Sequence, residues 1–329
     1  VVFLCSSKRR ACCAKSRIKV DFVGTKAFFA KGWPTRLGFY LGKYLPPRGG
    51  KYVAALVSRL MVTFKSDVYW NVRANLHHVL GPETSEKELH QTAYRLISNA
   101  NRGYYELFHN IGRGRINVED FYPPMRLTAD AKAYLDQGIA SGRGLLILGA
   151  HMSNFDLGLI GLSQYLPMPM QALSLAEPPA GFEFFNRLRA KGNVIITPIS
   201  PRSLRDAMAR LREGGIVVTG VDRPVKEGNE PVEFFGATAY LPTGYIRIPL
   251  RTDCLVMTIA VYYEPDGDGG VYRVAVNPPM EMERTGDAKV DVAHNLRRVL
   301  AEIEGLIRRH PDQWQMFIPV WPETPAGRS

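Results

Sequence analysis

Cysteine is scarce in this 329-residue chain: Cys5, Cys12 and Cys13 crowd the first positions and Cys254 stands alone in an apolar run. No paired framework or zinc-ligand spacing can be drawn from them, which favours a reducing compartment. No staple is required either, because a chain this long buries roughly three quarters of its unfolded surface. Long uncharged apolar runs are missing too. A spanning helix needs about 18 such residues, and Arg59 interrupts the best stretch. Gly142 and Gly144 precede an apolar strand, whereas a dinucleotide fingerprint follows one, and no glycine-rich loop ends in Gly-Lys-Ser/Thr. No serine sits in a Gly-x-Ser-x-Gly elbow and no histidine pair has helical zinc spacing. These absences disfavour nucleotide-loop, zinc and serine-nucleophile chemistry.

Acidic residues are also rare in the first third. Residues 1–126 hold 21 Lys and Arg against 8 Asp and Glu, while residues 127–329 hold 21 against 23. The net charge of +11 therefore belongs to the N-terminal part. Aromatic and aliphatic residues interleave with it: Phe28, Phe29, Trp33, Leu37, Phe39, Tyr40, Leu41, Tyr44 and Leu45, then the stretch 52–64. Lys and Arg prefer solvent in any protein, so a plain solvated surface is one reading. The sharper reading is interfacial docking on an anionic lipid leaflet. Nucleic acid fits less well, since long aliphatic runs accompany the charges and no nucleic-acid motif is present. The chain does not begin with Met, so an upstream helix outside this sequence stays open.

Ser85 followed by Glu88 forms a capping box, and apolar residues from Leu89 to Ile111 then recur at helical spacing. From residue 144 short apolar runs alternate with helical stretches. Residues 145–148, 171–175, 194–197, 216–221 and 255–263 read as strands, with a helix capped by Ser203 and another over 290–309. Residues 232–235 and 271–276 read as a hairpin-like antiparallel pair. The fold class expected is α/β: a mixed, mostly parallel sheet flanked by helices, with an N-terminal helical membrane-docking region. Residues 1–25 read as a basic, disordered segment, 26–120 as the helical region, 121–322 as the α/β core and 323–329 as a tail.

The sharpest chemistry lies at Leu148-Gly149-Ala150-His151-Met152-Ser153-Asn154-Phe155-Asp156, a buried strand followed by a His-x4-Asp spacing. Ligands of open α/β sheets gather at the carboxyl ends of strands. Residues five apart on one helix point about 140° away from each other, so the His belongs in the turn and the Asp at the following helix start. Asn154 suits the cap of that helix. In this geometry Asp156 accepts a hydrogen bond from one imidazole nitrogen and the other is free to take a proton from a hydroxyl. The spacing alone equally fits a capping His and an Asp at a helix N-terminus. Arg189 and Arg223 suit phosphate through their forked donors, or ordinary ion pairs. Asp222 is expected to hold Arg223, Glu233 to face water, and Trp314 to pack the C-terminal helix. Phe234 and Phe235 are open between core packing and acyl-chain lining.

Taken in order, the His-x4-Asp turn, Arg189 in Phe185–Gly192, Asp222-Arg223, Val232–Gly236, Pro242-Thr243-Gly244 and His310-Pro311-Asp312-Gln313-Trp314 resemble the lipid A biosynthesis acyltransferase family. That family lies within the lysophospholipid acyltransferase superfamily and includes the phosphatidylinositol mannoside acyltransferases. The resemblance spans roughly residues 30–322. Many lipid A members carry a Glu where this chain has Asp156 and a Gln where it has Arg223, so both positions lean towards the mannoside and general glycerolipid branches.

The resemblance implies a membrane-associated O-acyltransferase acting on a phospholipid or phosphoglycolipid hydroxyl. His151 would be the general base and Asp156 would orient it, with Arg189 and Arg223 on substrate phosphate. The donor would be acyl-CoA or acyl carrier protein, as a co-substrate. No cofactor, metal or nucleic-acid partner is implied, and the expected location is the cytoplasmic face of the inner (plasma) membrane, peripheral or monotopic. A thioesterase on the same scaffold, or a non-enzymatic basic lipid-binding protein, are the rival readings.

Overall fold

The computed structural model describes residues 33–178, 180–266 and 269–322. The basic segment 1–25, Phe28, Phe29 and the tail 323–329 lie outside the described residues, as does the side chain of Trp33. The described chain begins with helices α1 (Trp33–Tyr44), α2 (Pro47–Thr63), α3 (Asp67–Leu80) and α4 (Glu86–Gly112). Ser85 accepts the Glu88 N–H and starts α4 where its sequence predicts. Gly50 is required where α2 crosses α4, because a Cβ there would fall 2.0 Å from the Tyr105 ring.

Strands and helices then alternate: β1 (Met125–Leu127), α5 (Ala129–Ala140), β2 (Leu145–Gly149), α6 (Phe155–Tyr165), β3 (Met170–Ser174), α7 (Ala180–Arg189), β4 (Val194–Pro198), α8 (Pro201–Arg212) and β5 (Ile216–Gly220). Next come β6 (Asn229–Phe234), β7 (Ala237–Pro242), α9 (Arg247–Thr252), β8 (Leu255–Asp266), β9 (Gly269–Val276) and α10 (Ala288–Arg309). Seven strands form one sheet in the order β1-β9-β8-β2-β5-β3-β4, parallel except where β8 meets β9. The mixed, mostly parallel α/β sheet is the one expected.

Strand β2 lies between β8 and β5, and both of its faces are covered. Leu146 and Leu148 join a core with Leu211 of α8 and Val299 and Ile303 of α10, while Leu145 and Ile147 join Leu107, Leu135 and Leu157 on the other face. This two-sided burial is why the run reads as continuously apolar. Leu107, Phe108 and Ile111 at the end of α4 belong to the second core, so the N-terminal helices pack onto the sheet. Gly149 is level with Gly220 in the β2–β5 register, which brings the residues after the two strands side by side.

Two local expectations are corrected. Residues 232–234 pair with β7 and not with 271–276, which pair with β8. Phe235 (φ 50°) and Gly236 (φ 72°) supply the two left-handed residues of a tight hairpin turn, so the nearer partner wins. The helix assigned to a Ser203 cap starts at Pro201 with Ser200 as its cap. Pro201 is suited to the first helical position, and the Ser203 side chain closes the reciprocal box onto the Ser200 N–H.

Beneath the turn after β2 lies a buried carboxyl. Glu106 of α4 accepts a hydrogen bond from the Tyr272 hydroxyl and faces Arg102 at 3.7 Å. Burial pushes its pKa up to about 7, against the pull of Arg102. Since the folded-state value exceeds the ordinary 4.5, this group's stabilising protonation is complete below about pH 4.5 and lost as pH rises through about 7. Glu106→Gln should therefore remove roughly 1–3 kcal/mol of stability change across that window. Urea unfolding of both proteins at pH 5 and pH 7.5 measures it; parallel losses would refute the assignment.

Candidate active site

The β2 strand ends at Gly149, and Ser153 turns the chain in the left-handed region (φ 47°) before Asn154 caps α6 through the Leu157 N–H. The Asn154 amide also donates to the Gly103 carbonyl of α4 at 2.9 Å, tying the turn to the N-terminal helices. His151 thus sits in the turn and Asp156 in the first turn of α6, as the spacing requires.

They do not meet. The His151 Nδ1 is bonded to Asp222 Oδ1 at 2.6 Å, and the His151 backbone N–H donates to Asp222 Oδ2 at 2.8 Å. Asp156 accepts from Arg189 Nε instead. The expectation that Asp156 orients the imidazole is therefore corrected, and so is the pairing of Asp222 with Arg223. The physical reason is the strand register: His151 and Asp222 each lie two residues past a matched glycine pair on adjacent parallel strands. Helical geometry meanwhile turns Asp156 towards α7, where Arg189 closes the last turn.

Gly220 makes room for the ring. A Cβ on it would lie 2.5 Å from the His151 Cε1, so any side chain there displaces the imidazole. Phe155 flanks the ring edge-on at 5.0 Å. Asp222 is fully buried. Burial alone would raise its pKa, but the His151 charge and hydrogen bonds from the His151 ring, the Trp314 indole and the His151 backbone outweigh it and hold the carboxyl below its ordinary range. An ionised Asp222 accepts from Nδ1–H, so the neutral ring presents Nε2 as a base. Nε2 has no hydrogen bond among the described residues, and the His151 side chain keeps 20% of its surface exposed.

The basic groups divide. Arg189 is neutralised by Asp156, donates to Asn186 Oδ1 at 2.9 Å and lies over Phe155 at 5.7 Å. Arg223 makes no ion pair among the described residues and lies over Phe182 at 5.0 Å. Its burial lowers its pKa, offset in part by Tyr104 and Asp222. Tyr104 of α4 completes this group. Burial and Asp156 push its hydroxyl up to about 12, against Arg223 and Arg189. Sequence reasoning counted Tyr104 only among the apolar positions of a helix. Its place at the site depends on how α4 crosses the sheet.

Phe234 and Phe235 are core residues. Both are buried, at ring distances of 6.2 Å from Trp314 and 5.8 and 6.2 Å from Trp321. Of the two readings left open for them, core packing is the one observed and acyl-chain lining is not: the hairpin turn between β6 and β7 places them against Trp314 and Trp321. Glu233 faces solvent. Among the described residues no cluster of His, Cys, Asp and Glu is arranged to hold a metal ion.

Residues 33–323 match the family model described as bacterial lipid A biosynthesis acyltransferase. The chain belongs to that family. Among curated relatives of this acyltransferase family member, the phosphatidylinositol mannoside acyltransferase of Mycobacterium tuberculosis is 22% identical over 57% of this chain and 58% of that protein. The enzyme of the same name from Mycolicibacterium smegmatis is 23% identical over 57% of this chain and 60% of that protein. The match thus spans about three-fifths of these relatives' length. A solved 1-acyl-sn-glycerophosphate acyltransferase from Thermotoga maritima superposes loosely, with a TM-score of 0.33 and 12% identity over 78% of this chain and 97% of that one.

Gly220→Ala should lower turnover at least tenfold, because the His151 ring must leave the Asp222 carboxylate, while the strand itself tolerates Ala. Steady-state kinetics beside the melting temperature measure this. Unchanged turnover would show that the ring's place on Gly220 is immaterial.

Proposed function

We propose that this family member is a membrane-associated O-acyltransferase that moves a fatty acyl chain from an acyl-CoA or acyl carrier protein to a hydroxyl of a phosphate-bearing lipid or glycolipid. The observation that carries the reading is the His151–Asp222 pair, which leaves Nε2 as an accessible base near Arg223, a cation with no ion pair among the described residues, at the carboxyl ends of β2 and β5. In this reading Nε2 removes the proton of the acceptor hydroxyl, and the hydroxyl oxygen attacks the thioester carbonyl. The tetrahedral adduct expels the thiolate, which takes the proton back from the imidazolium. Asp222 keeps the correct tautomer and stabilises the imidazolium. Arg223 meets a phosphate with its forked donors, since burying a guanidinium without a carboxylate is otherwise unfavourable. Asp156 and Arg189 hold α6 to α7 and shape the wall beside Phe155. The mannoside relatives make a phosphatidylinositol mannoside the first acceptor to try, with labelled palmitoyl-CoA and a total lipid extract beside it.

His151→Ala should abolish transfer in folded protein. Asp222→Asn should cost at least a hundredfold in turnover, and Asp156→Asn, which loosens Arg189, clearly less. Arg223→Ala should weaken use of the phosphate-bearing substrate by about 1.5–3 kcal/mol, with Arg223→Lys recovering part. Equal activity of wild type and His151→Ala would end the mechanism.

Membrane docking is supported by the outer face of α1 and α2. Leu37, Tyr40, Leu41 and Tyr44 share one side of α1, and Tyr52, Leu56, Leu60 and Phe64 follow one side of α2 and its end, all exposed. Arg36, Arg48, Arg59 and Lys65 are exposed on the same segments. No described helix is long and apolar enough to cross a membrane. An amphipathic pair with basic residues lies in the interface of an anionic bilayer, held by an apolar part that salt does not screen and a charged part that it does. Leu56→Asp with Leu60→Asp should weaken flotation with phosphatidylglycerol-containing vesicles about tenfold or more. Raised salt should release the wild type only in part, and complete release by salt alone would remove the apolar component.

A further inference from the structure

The chain beyond α10 closes over the His151 turn. The Ser153 N–H donates to the Gln313 carbonyl at 2.7 Å and the Gln315 N–H to the His151 carbonyl at 2.8 Å, while Met152 and Trp314 form an antiparallel bridge. Gln313 is fixed in turn by β8: its side chain accepts from the Tyr263 N–H at 2.7 Å and donates to the Tyr263 carbonyl at 2.8 Å. Trp314 is fully buried among Phe234, Phe235 and Trp321. Its indole N–H donates to Asp222 Oδ2 at 2.7 Å, the same oxygen that receives the His151 backbone N–H.

We propose that Trp314 is a positioning residue for the His151–Asp222 pair. Its indole and the His151 backbone saturate Oδ2, so that Oδ1 alone faces the imidazole and the carboxylate plane is fixed. The inference rests on reading His151 as the base. A buried indole N–H needs an acceptor in any protein, and here that acceptor is the carboxylate that holds the imidazole, at the oxygen opposite the one bonded to the ring. The donor also spreads the Asp222 charge and so tempers its pull on the ring proton. The other groups facing Asp222 leave this role to Trp314. Tyr245, from the turn after β7, feels the Asp222 charge only through space and its buried hydroxyl has no hydrogen-bond partner among the described residues, while Arg223 is directed to Phe182.

Removing the indole donor should concentrate charge on Oδ1 and raise the midpoint at which the His151 ring titrates by roughly half a pH unit or more, while turnover falls about ten- to a hundredfold with little change in KM. The variants are Trp314→Phe and, to keep the packing, replacement of Trp314 by β-(3-benzothienyl)alanine, which puts sulfur in place of the N–H. Titration of histidine-labelled full-length protein by NMR, with His151→Ala for assignment, reads the ring without any substrate, and hydrolysis and transfer of palmitoyl-CoA give the rates. Asp222→Asn is run beside them. If Asp222→Asn moves the His151 midpoint downward and the isosteric Trp314 variant leaves it at the wild-type value, the positioning role is overturned and the pair stands. If Asp222→Asn leaves it unmoved, the pair itself fails. An upward shift in the isosteric variant, with reduced turnover, supports the proposal.

Discussion

A carboxylate with no solvent contact and no full-time cation needs donors, and Asp222 draws them from segments far apart in the chain. The β2–α6 turn supplies the His151 ring and backbone, and the chain beyond α10 supplies the Trp314 indole. Each donor is tied in its turn. The turn is fixed by the matched ends of β2 and β5 and by the Asn154 bond to α4, and Trp314 by the Gln313 fork on β8 and the rings of Phe234, Phe235 and Trp321. Removing any one would leave buried charge short of a partner, which is costly in a low-dielectric setting.

The same logic separates the two aspartates that could serve one histidine. Asp222 is sealed and serves the ring, whereas Asp156 neutralises Arg189 and fastens α6 to α7. Arg223 is then left as a cation at this site with no carboxylate partner among the described residues, and Tyr104 beside it brings α4 to the edge of the site. Helix α4 therefore joins two surfaces. It carries Tyr104 beside Arg223 and Gly103 under the turn, and α1 and α2 pack against it while turning apolar side chains outward. A lipid held at that outer face and a hydroxyl at His151 would be served by one continuous helical layer.

Much of the fold was legible because its signals are local. Two-sided burial writes continuous apolar runs into β2, β5 and β8, and the Ser85 cap and the Asn154 cap each depend on a backbone N–H three residues on. Of the N-terminal helices, α4 was legible from its Ser85 cap and helical spacing, whereas the charge and aromatic interleaving before it pointed to a docking surface without marking α1, α2 or α3 as helices. The hairpin partner of residues 232–234 was missed because the Phe235-Gly236 turn does not advertise two left-handed residues as Asn-Gly would. The Ser200 cap was missed because the serine three residues later carries a capping signal of its own.

By itself the sequence determined an α/β chain with a basic, aromatic N-terminal helical part, a His-bearing turn after an apolar strand, and the set of acidic and basic residues available to it. Which carboxylate serves His151 was decided only by tertiary structure. Spacing along the chain favoured Asp156, five residues away, but hydrogen bonding depends on distance in space. The parallel register of β2 and β5 puts Asp222, 71 positions on, within 2.6 Å of the ring. The Trp314 donor, the placing of Arg223 over Phe182 and the inward Phe234 and Phe235 were decided in the same way, because each depends on which surfaces the packed elements bring together, and no local pattern encodes that.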